Sequence, residues 1–169
     1  AIAEQLRILE QKGVSCRVIP GVTAAFAAAA ALKVEYTLPE VSQSLILTRM
    51  QGRTPVPEKE NLASLAAHQT SMAVYLSAGL ADKLQDVLAA NYGPDAPVAV
   101  VFRASHKDEK ILWTKAGDLE KSMKDAQISR QALVIAGPAL EAQKNRDFSA
   151  SKLYDKTFTH GYRKGHGSK

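Results

Sequence analysis

Cysteine, histidine, aromatic side chains and long apolar runs are all scarce in this 169-residue sequence. The single cysteine, Cys16, has no partner for an internal disulfide. The default setting for such a chain is a reducing cytoplasm. Cys16 lies in a strand-like stretch and reads as a small buried hydrophobe, not a nucleophile. Four histidines and one cysteine show no zinc-ligand spacing, so no metal is expected. His160 and His166 read as parts of a solvated tail, and His106 as part of a solvated turn. Aromatic residues make up 6% of the chain, too few and too scattered for a nucleic-acid stacking surface. The longest apolar stretch, Ala24 to Leu32, is mostly alanine. It falls well short of the roughly 18 residues that span a bilayer, so no membrane partner is expected. No signal-peptide pattern opens the sequence.

Several chemical signatures are also missing. There is no phosphate-cradling GxxxxGK[ST], no GxGxxG, no GxSxG and no HExxH. No nucleophile stands beside a base, and no catalytic residue can be named from the sequence.

What is present belongs to an ordinary globular chain, with 46% hydrophobic and 23% charged residues. The net charge is +5, and its placement matters more than its size. The stretch from Lys152 to Lys169 carries +4 of it, leaving +1 for the body. A nearly neutral body argues against a broad nucleic-acid-binding face.

Hydrophobic spacing sets out the expected elements. Ile2, Leu6 and Leu9 repeat at helical spacing, and Gly13 supplies a C-terminal stop. No Met or capping residue precedes this helix, so the sequence is expected to be cut from a longer one. Val14 to Ile19 alternates like a strand, ended by Pro20-Gly21. Thr23 is expected to cap the alanine-rich helix through Leu32. Strands are expected over Ser44 to Thr48, Ser71 to Ser77, Pro97 to Phe102, Lys110 to Thr114 and Leu133 to Ala136. The continuous apolar run at Pro97 to Phe102 suits a strand covered on both faces. Helices are expected over Asn61 to Ala67, Leu80 to Asn91 and, capped by Asp118, as far as Asp125. Past Glu141 the chain turns polar, and Phe158 to Lys169 reads as disordered. The fold class is α/β, a layered mixed sheet flanked by helices.

Three places carry functional promise. Pro20-Gly21-Val22-Thr23-Ala24 is a strand-to-helix turn whose free amides suit a polar ligand. Arg49 and Arg53 flank Gly52 and could grip carboxylates. The strand ends at Leu76-Ser77 and Arg103-Ala104-Ser105 could rim one crevice, since ligands of open α/β sheets sit at carboxyl ends of strands.

The run Val18-Ile-Pro-Gly-Val-Thr-Ala24, followed by its alanine-rich helix, resembles the tetrapyrrole methylase family. Leu38-Pro-Glu-Val-Ser-Gln-Ser-Leu-Ile-Leu-Thr-Arg49, then Gly52-Arg-Thr-Pro-Val-Pro57, resembles the members that methylate precorrins in cobalamin biosynthesis. Val101-Phe-Arg-Ala-Ser105 and Asp108-Glu-Lys-Ile111 agree with it. The resemblance covers roughly Ala1 to Pro138. It implies two α/β domains with S-adenosylmethionine held in the cleft between them. It also implies a tetrapyrrole substrate and a homodimer. The glycine-rich motifs of the family's first domain do not occur here. Residues 1–38 are therefore expected to be the end of that first domain, 39–140 the second domain, and 141–169 a polar basic tail. Carried over by position, Thr23 and Ala24 match the cofactor-contacting pair after Pro-Gly. Leu76 matches a bulky apolar residue near the cofactor, and Ala104 a small residue beside the adenine. Trp113-Thr-Lys-Ala116 departs from the family's Gly-Thr-Leu, and no cofactor role is carried to it. Arg49 and Arg53 are expected to meet the acidic side chains of the substrate. The alternatives are a methylase acting on another tetrapyrrole, or a non-catalytic binding module using the basic tail.

Overall fold

The computed structural model describes residues 2–166. Five strands make one sheet: β1 (Leu45–Arg49), β2 (Ser71–Tyr75), β3 (Pro97–Phe102), β4 (Lys110–Lys115) and β5 (Ala132–Ala136). Their order is β1-β2-β5-β3-β4. The β1 and β2 strands run parallel, whereas β5 is antiparallel to both β2 and β3, and β4 to β3. The mixed α/β sheet expected from the alternating pattern is therefore present. One consequence positions the site. The carboxyl ends of β1, β2 and β3 and the start of β5 all fall on the same edge of the sheet.

Alternation along the strands feeds two cores. Met72, Val74, Val98, Val100, Val134 and Ala136 face one side. There they meet α3 (Leu62–Ala66), α4 (Ala81–Tyr92) and α5 (Leu119–Asp125), through Leu62, Leu84, Leu88, Leu119 and Met123. Ala73, Ala99, Val101, Leu133 and Ile135 face the other side. That side is covered by α2 (Ala24–Leu32), by Tyr36, and by Leu140 of α6 (Pro138–Asn145). The alanines of α2 explain its closeness: Ala25 and Ala28 are fully buried against the sheet. Small side chains let that backbone approach.

Several expectations need correction. Residues 14–22 join no sheet; all of them are exposed. The alternating pattern of Val14, Cys16 and Val18 finds no neighbouring strand among the described residues, and Cys16 is exposed, not buried. The preceding α1 (Ile2–Gln11) is amphipathic as expected but has no buried residue. Its stop at Gly13 (φ 63°) is as expected, and the Val14 amide bonds to the Leu9 carbonyl at 2.9 Å.

Helix starts show a second kind of correction. Asn61 caps α3 as a local side chain should, accepting from the Ser64 amide at 2.9 Å. Thr23 and Asp118 occupy N-cap positions yet make no capping bond. Their helices are capped from elsewhere in the fold. Gln85 of α4 accepts from the Glu120 amide at 3.0 Å, and the Tyr75 hydroxyl accepts from the Ala25 amide at 2.9 Å.

The helix α6 was not expected at all. Pro138 ends β5 but also opens a helix, since its fixed φ suits the first helical position. Gln143 on α6 receives the Glu35 amide and donates to the Glu35 carbonyl, both at 2.8 Å. Beyond α6, residues 158–166 are not featureless: His160 and Arg163 form a small antiparallel bridge. The rest of the stretch expected to be disordered, Gly167 to Lys169, lies outside the described residues. Among the described residues, no helix is long and apolar enough to cross a membrane.

Candidate functional site

A cleft of about 570 Å³ opens at the edge of the sheet where β2 and β3 end and β5 begins. Its floor is aliphatic, from Val101 and Leu133. Its walls are small residues, Ala24, Ala78, Gly79, Ala104 and Ala132. Its rim carries Arg103, His106 and Arg130. A second hollow of about 450 Å³ adjoins it, lined by Thr23, Thr48, Arg49, Val56 and Pro57 among others. Tyr75 and Leu76 line both and form the ridge between them.

The backbone along this edge is unusual. Leu76, Arg103, Ser105 and Gln131 all have left-handed φ values, between 48° and 69°. None is glycine, so each carries some conformational strain. For Leu76 the result is concrete. Alternation would place it beside Met72 and Val74 in the core. The reversal at φ 53° takes it out of the strand and leaves it 86% exposed on the ridge. Hydrogen bonds hold these turns. The Arg103 amide donates to the Gln131 carbonyl at 2.9 Å, and the Ser105 amide to Glu109 Oε2 at 2.7 Å. Arg103 pairs with Asp108 across the same turn. Buried Ser77 joins the first two strand ends, accepting from the Met50 amide at 2.9 Å and donating to the Tyr75 carbonyl at 2.7 Å.

The four residues named as cofactor contacts thus come together. Ala24, Leu76 and Ala104 line the larger cleft, and Thr23 stands on the adjoining hollow beside Tyr75. The two arginines do not behave alike. Arg49 donates to the carbonyls of Thr54 (3.2 Å) and Pro55 (2.7 Å), with a longer contact to Met50 (3.4 Å). It is engaged in holding its own loop. Arg53 is exposed and lines neither hollow. His106 sits in an exposed turn as expected, yet also lines the cleft. Tyr75 was missed by sequence reasoning; the available signal was an aromatic residue at the very end of a strand covered on both faces.

The loop role of Arg49 is testable. Arg49→Met should loosen residues 50–57 and speed tryptic cleavage after Arg53 about tenfold, as expected for losing charged hydrogen bonds worth about 1.5 kcal/mol. An unchanged cleavage rate would show that the loop holds without Arg49.

Two tyrosines meet at the start of α2. Tyr36 donates to the Ala25 carbonyl at 2.6 Å. Burial pushes its phenol well above the ordinary range, and the nearby Tyr75 adds to the rise. Tyr36 therefore stays a neutral donor through the physiological range.

The fold is an open α/β sheet with its cleft at the carboxyl ends of the strands, the place where such sheets hold ligands. The sequence matches the Tetrapyrrole (Corrin/Porphyrin) Methylases over residues 1–120, and the chain belongs to that family. It is 48% identical to the cobalt-precorrin-4 C(11)-methyltransferase of Priestia megaterium over 166 residues, covering 98% of this chain and 64% of that protein. The X-ray structure of a cobalt-precorrin-4 methyltransferase, a cobalamin biosynthetic enzyme, superposes with a TM-score of 0.80 at 45% identity. That match covers 83% of this chain and 59% of the other. A uroporphyrin-III C-methyltransferase of Thermus thermophilus, solved with S-adenyl homocysteine, shares the fold at TM-score 0.64 and 19% identity, over 83% of this chain and 60% of its own. The chain thus spans a little under two thirds of the relatives it matches.

Proposed function

We propose that the chain forms part of an S-adenosylmethionine-dependent methyltransferase acting on carbon 11 of precorrin-4, in its cobalt form, in cobalamin biosynthesis. The observation that carries the reading is the 570 Å³ cleft itself, with Ala24, Leu76 and Ala104 on its walls. Its make-up fits the cofactor. A planar adenine suits an aliphatic floor between small residues, where backbone groups can come close. Arg130 on the rim suits the carboxylate.

Residues 1–38 are read as the end of a first domain and 39–140 as the second. The exposure of Val18, Ile19 and Val22, the last 81% exposed, supports a further covering surface for that segment. The intact protein is read as a cytoplasmic homodimer. Ile111 and Trp113, both 41% exposed on the edge strand β4, support an additional contact.

In this reading Ala104, Val101 and Leu133 hold the adenine, and Thr23 supplies a hydrogen bond near the mouth. When bound, S-adenosylmethionine supplies a methyl group on a sulfonium sulfur, already activated for transfer. The chain's own task is then alignment and exclusion of water. The ridge of Tyr75 and Leu76 divides the adenine side of the cleft from the adjoining hollow, which would receive the rest of the cofactor beside Thr23, with the tetrapyrrole beyond it. Of the two arginines expected to meet substrate carboxylates, Arg49 is engaged by its loop and Arg53 lines neither hollow, so neither is given that role.

The test uses the full-length protein with S-adenosylmethionine and cobalt-precorrin-4. The expected product gains one methyl by mass spectrometry, placed at carbon 11 by NMR. A methyl elsewhere on the ring would indicate a different tetrapyrrole methylase, and no transfer would overturn the reading.

A further inference from the structure

Thr23 occupies the N-cap position of α2 with extended backbone (φ −70°, ψ 151°), yet its side chain caps nothing. Its Oγ1 instead lies 2.6 Å from the Tyr75 hydroxyl, 52 residues away in the chain. The same hydroxyl receives the Ala25 amide at 2.9 Å. A phenol has one proton and can accept further bonds. With the Ala25 amide donating to it, the Tyr75 oxygen can still give its own proton to Thr23 Oγ1. In that arrangement the threonine hydroxyl proton is unspent, and Thr23 lines the adjoining hollow.

Tyr75 is well placed to impose this arrangement. Its backbone belongs to β2, paired to β1 through Arg49. Its carbonyl receives Ser77 Oγ, which also ties down Met50. On the far side Tyr36 holds the Ala25 carbonyl. Both backbone groups of Ala25 are thus bonded to phenols, and the first turn of α2 is fixed relative to the strand ends.

We propose that Tyr75 is a positioning residue. It replaces Thr23 as the cap of α2 and holds the Thr23 hydroxyl as a hydrogen-bond donor toward an acceptor atom of the cofactor. This rests on the cofactor reading given above and adds a residue to it. Tyr75 itself need touch nothing that reacts.

The test compares Thr23→Val, Tyr75→Phe and the double variant in the full-length protein. Affinity for S-adenosylhomocysteine is measured by calorimetry, and KM and kcat by steady-state kinetics. Thr23→Val and Tyr75→Phe should each raise the cofactor Kd and KM about tenfold, the size of one hydrogen bond, with kcat and the tetrapyrrole KM within about twofold. The double variant should be no worse than about twofold beyond either single one, because both remove the same bond. Full additivity would overturn the proposal. So would a Tyr75→Phe variant with unchanged cofactor KM, or one that raises the tetrapyrrole KM equally, as general loosening would. If Thr23→Val binds normally, the proposal falls while the cleft assignment stands. If the unaltered protein does not bind S-adenosylhomocysteine, the cofactor reading itself falls.

Discussion

Replacing Gly137 with alanine is expected to destabilise the domain by about 4 kcal/mol, combining a strained backbone with a steric clash. Gly137 joins the end of β5 to α6 with φ 134° and ψ 163°, a region essentially closed to residues with a side chain. A Cβ there would lie 2.7 Å from Ser71 Cα and 2.8 Å from the Thr70 carbonyl oxygen. These are backbone atoms at the start of β2, a central strand paired on both sides, so they cannot swing away. For a chain of this size the melting temperature should fall by about 8–16 °C. Gly21→Ala is the control. A Cβ at Gly21 meets nothing within 4 Å, and the change should stay within about 0.5 kcal/mol of neutral. Thermal unfolding by circular dichroism checks both. Equal melting temperatures would mean that the β5–α6 junction relaxes freely.

Gly137 also shows what the sequence carries clearly and what it carries only in part. Gly-Pro after an apolar run marks the end of β5 without ambiguity. That the same proline starts α6 depends on Leu140 finding an apolar surface beside the sheet, which no local pattern reveals. The strands follow the same division. Pro97–Phe102 is legible because a strand buried on both faces must be apolar throughout. Val14 to Ile19 has an equally good alternating pattern, but a strand needs a neighbour, and pairing is not a local property.

The candidate site divides in the same way. Thr23, Ala24, Leu76 and Ala104 are legible through a resemblance of motifs, and the fold brings them to one edge. Local chemistry alone would have misplaced two of them. Thr23 has the composition of a helix cap but leaves that task to Tyr75. Leu76 has the spacing of a core residue, but its left-handed backbone turns it outward. Arg49 has the charge of a ligand-binding residue, but the carbonyls of its own loop take up its donors. Only for Thr23 is the deciding partner distant in the chain; for Leu76 it is the backbone turn, and for Arg49 the carbonyls of its own loop.

Ala104 offers the sharpest separation of binding from folding. It is half-buried on the wall of the cleft, between Arg103 and Ser105, whose left-handed turns fix where its Cβ sits. Ala104→Leu places an isobutyl group in the space between Val101, Leu133 and the rim. That space is open in the folded protein, so the larger side chain overpacks no core, and stability should change by no more than about 0.5 kcal/mol. An adenine in the same space would be displaced. The expected loss is about 100-fold in affinity for S-adenosylhomocysteine, equivalent to ~2.7 kcal/mol. Methyl transfer at subsaturating cofactor should fall in parallel. Ala104→Gly, which only widens the slot, should bind within about threefold of the unaltered protein, the loss of one methyl contact being under 1 kcal/mol. Calorimetry and thermal melting on the same samples separate the two effects. An Ala104→Leu protein that melts normally and still binds tightly would remove the adenine from this cleft. One that fails to bind while melting normally would leave the cleft as its seat.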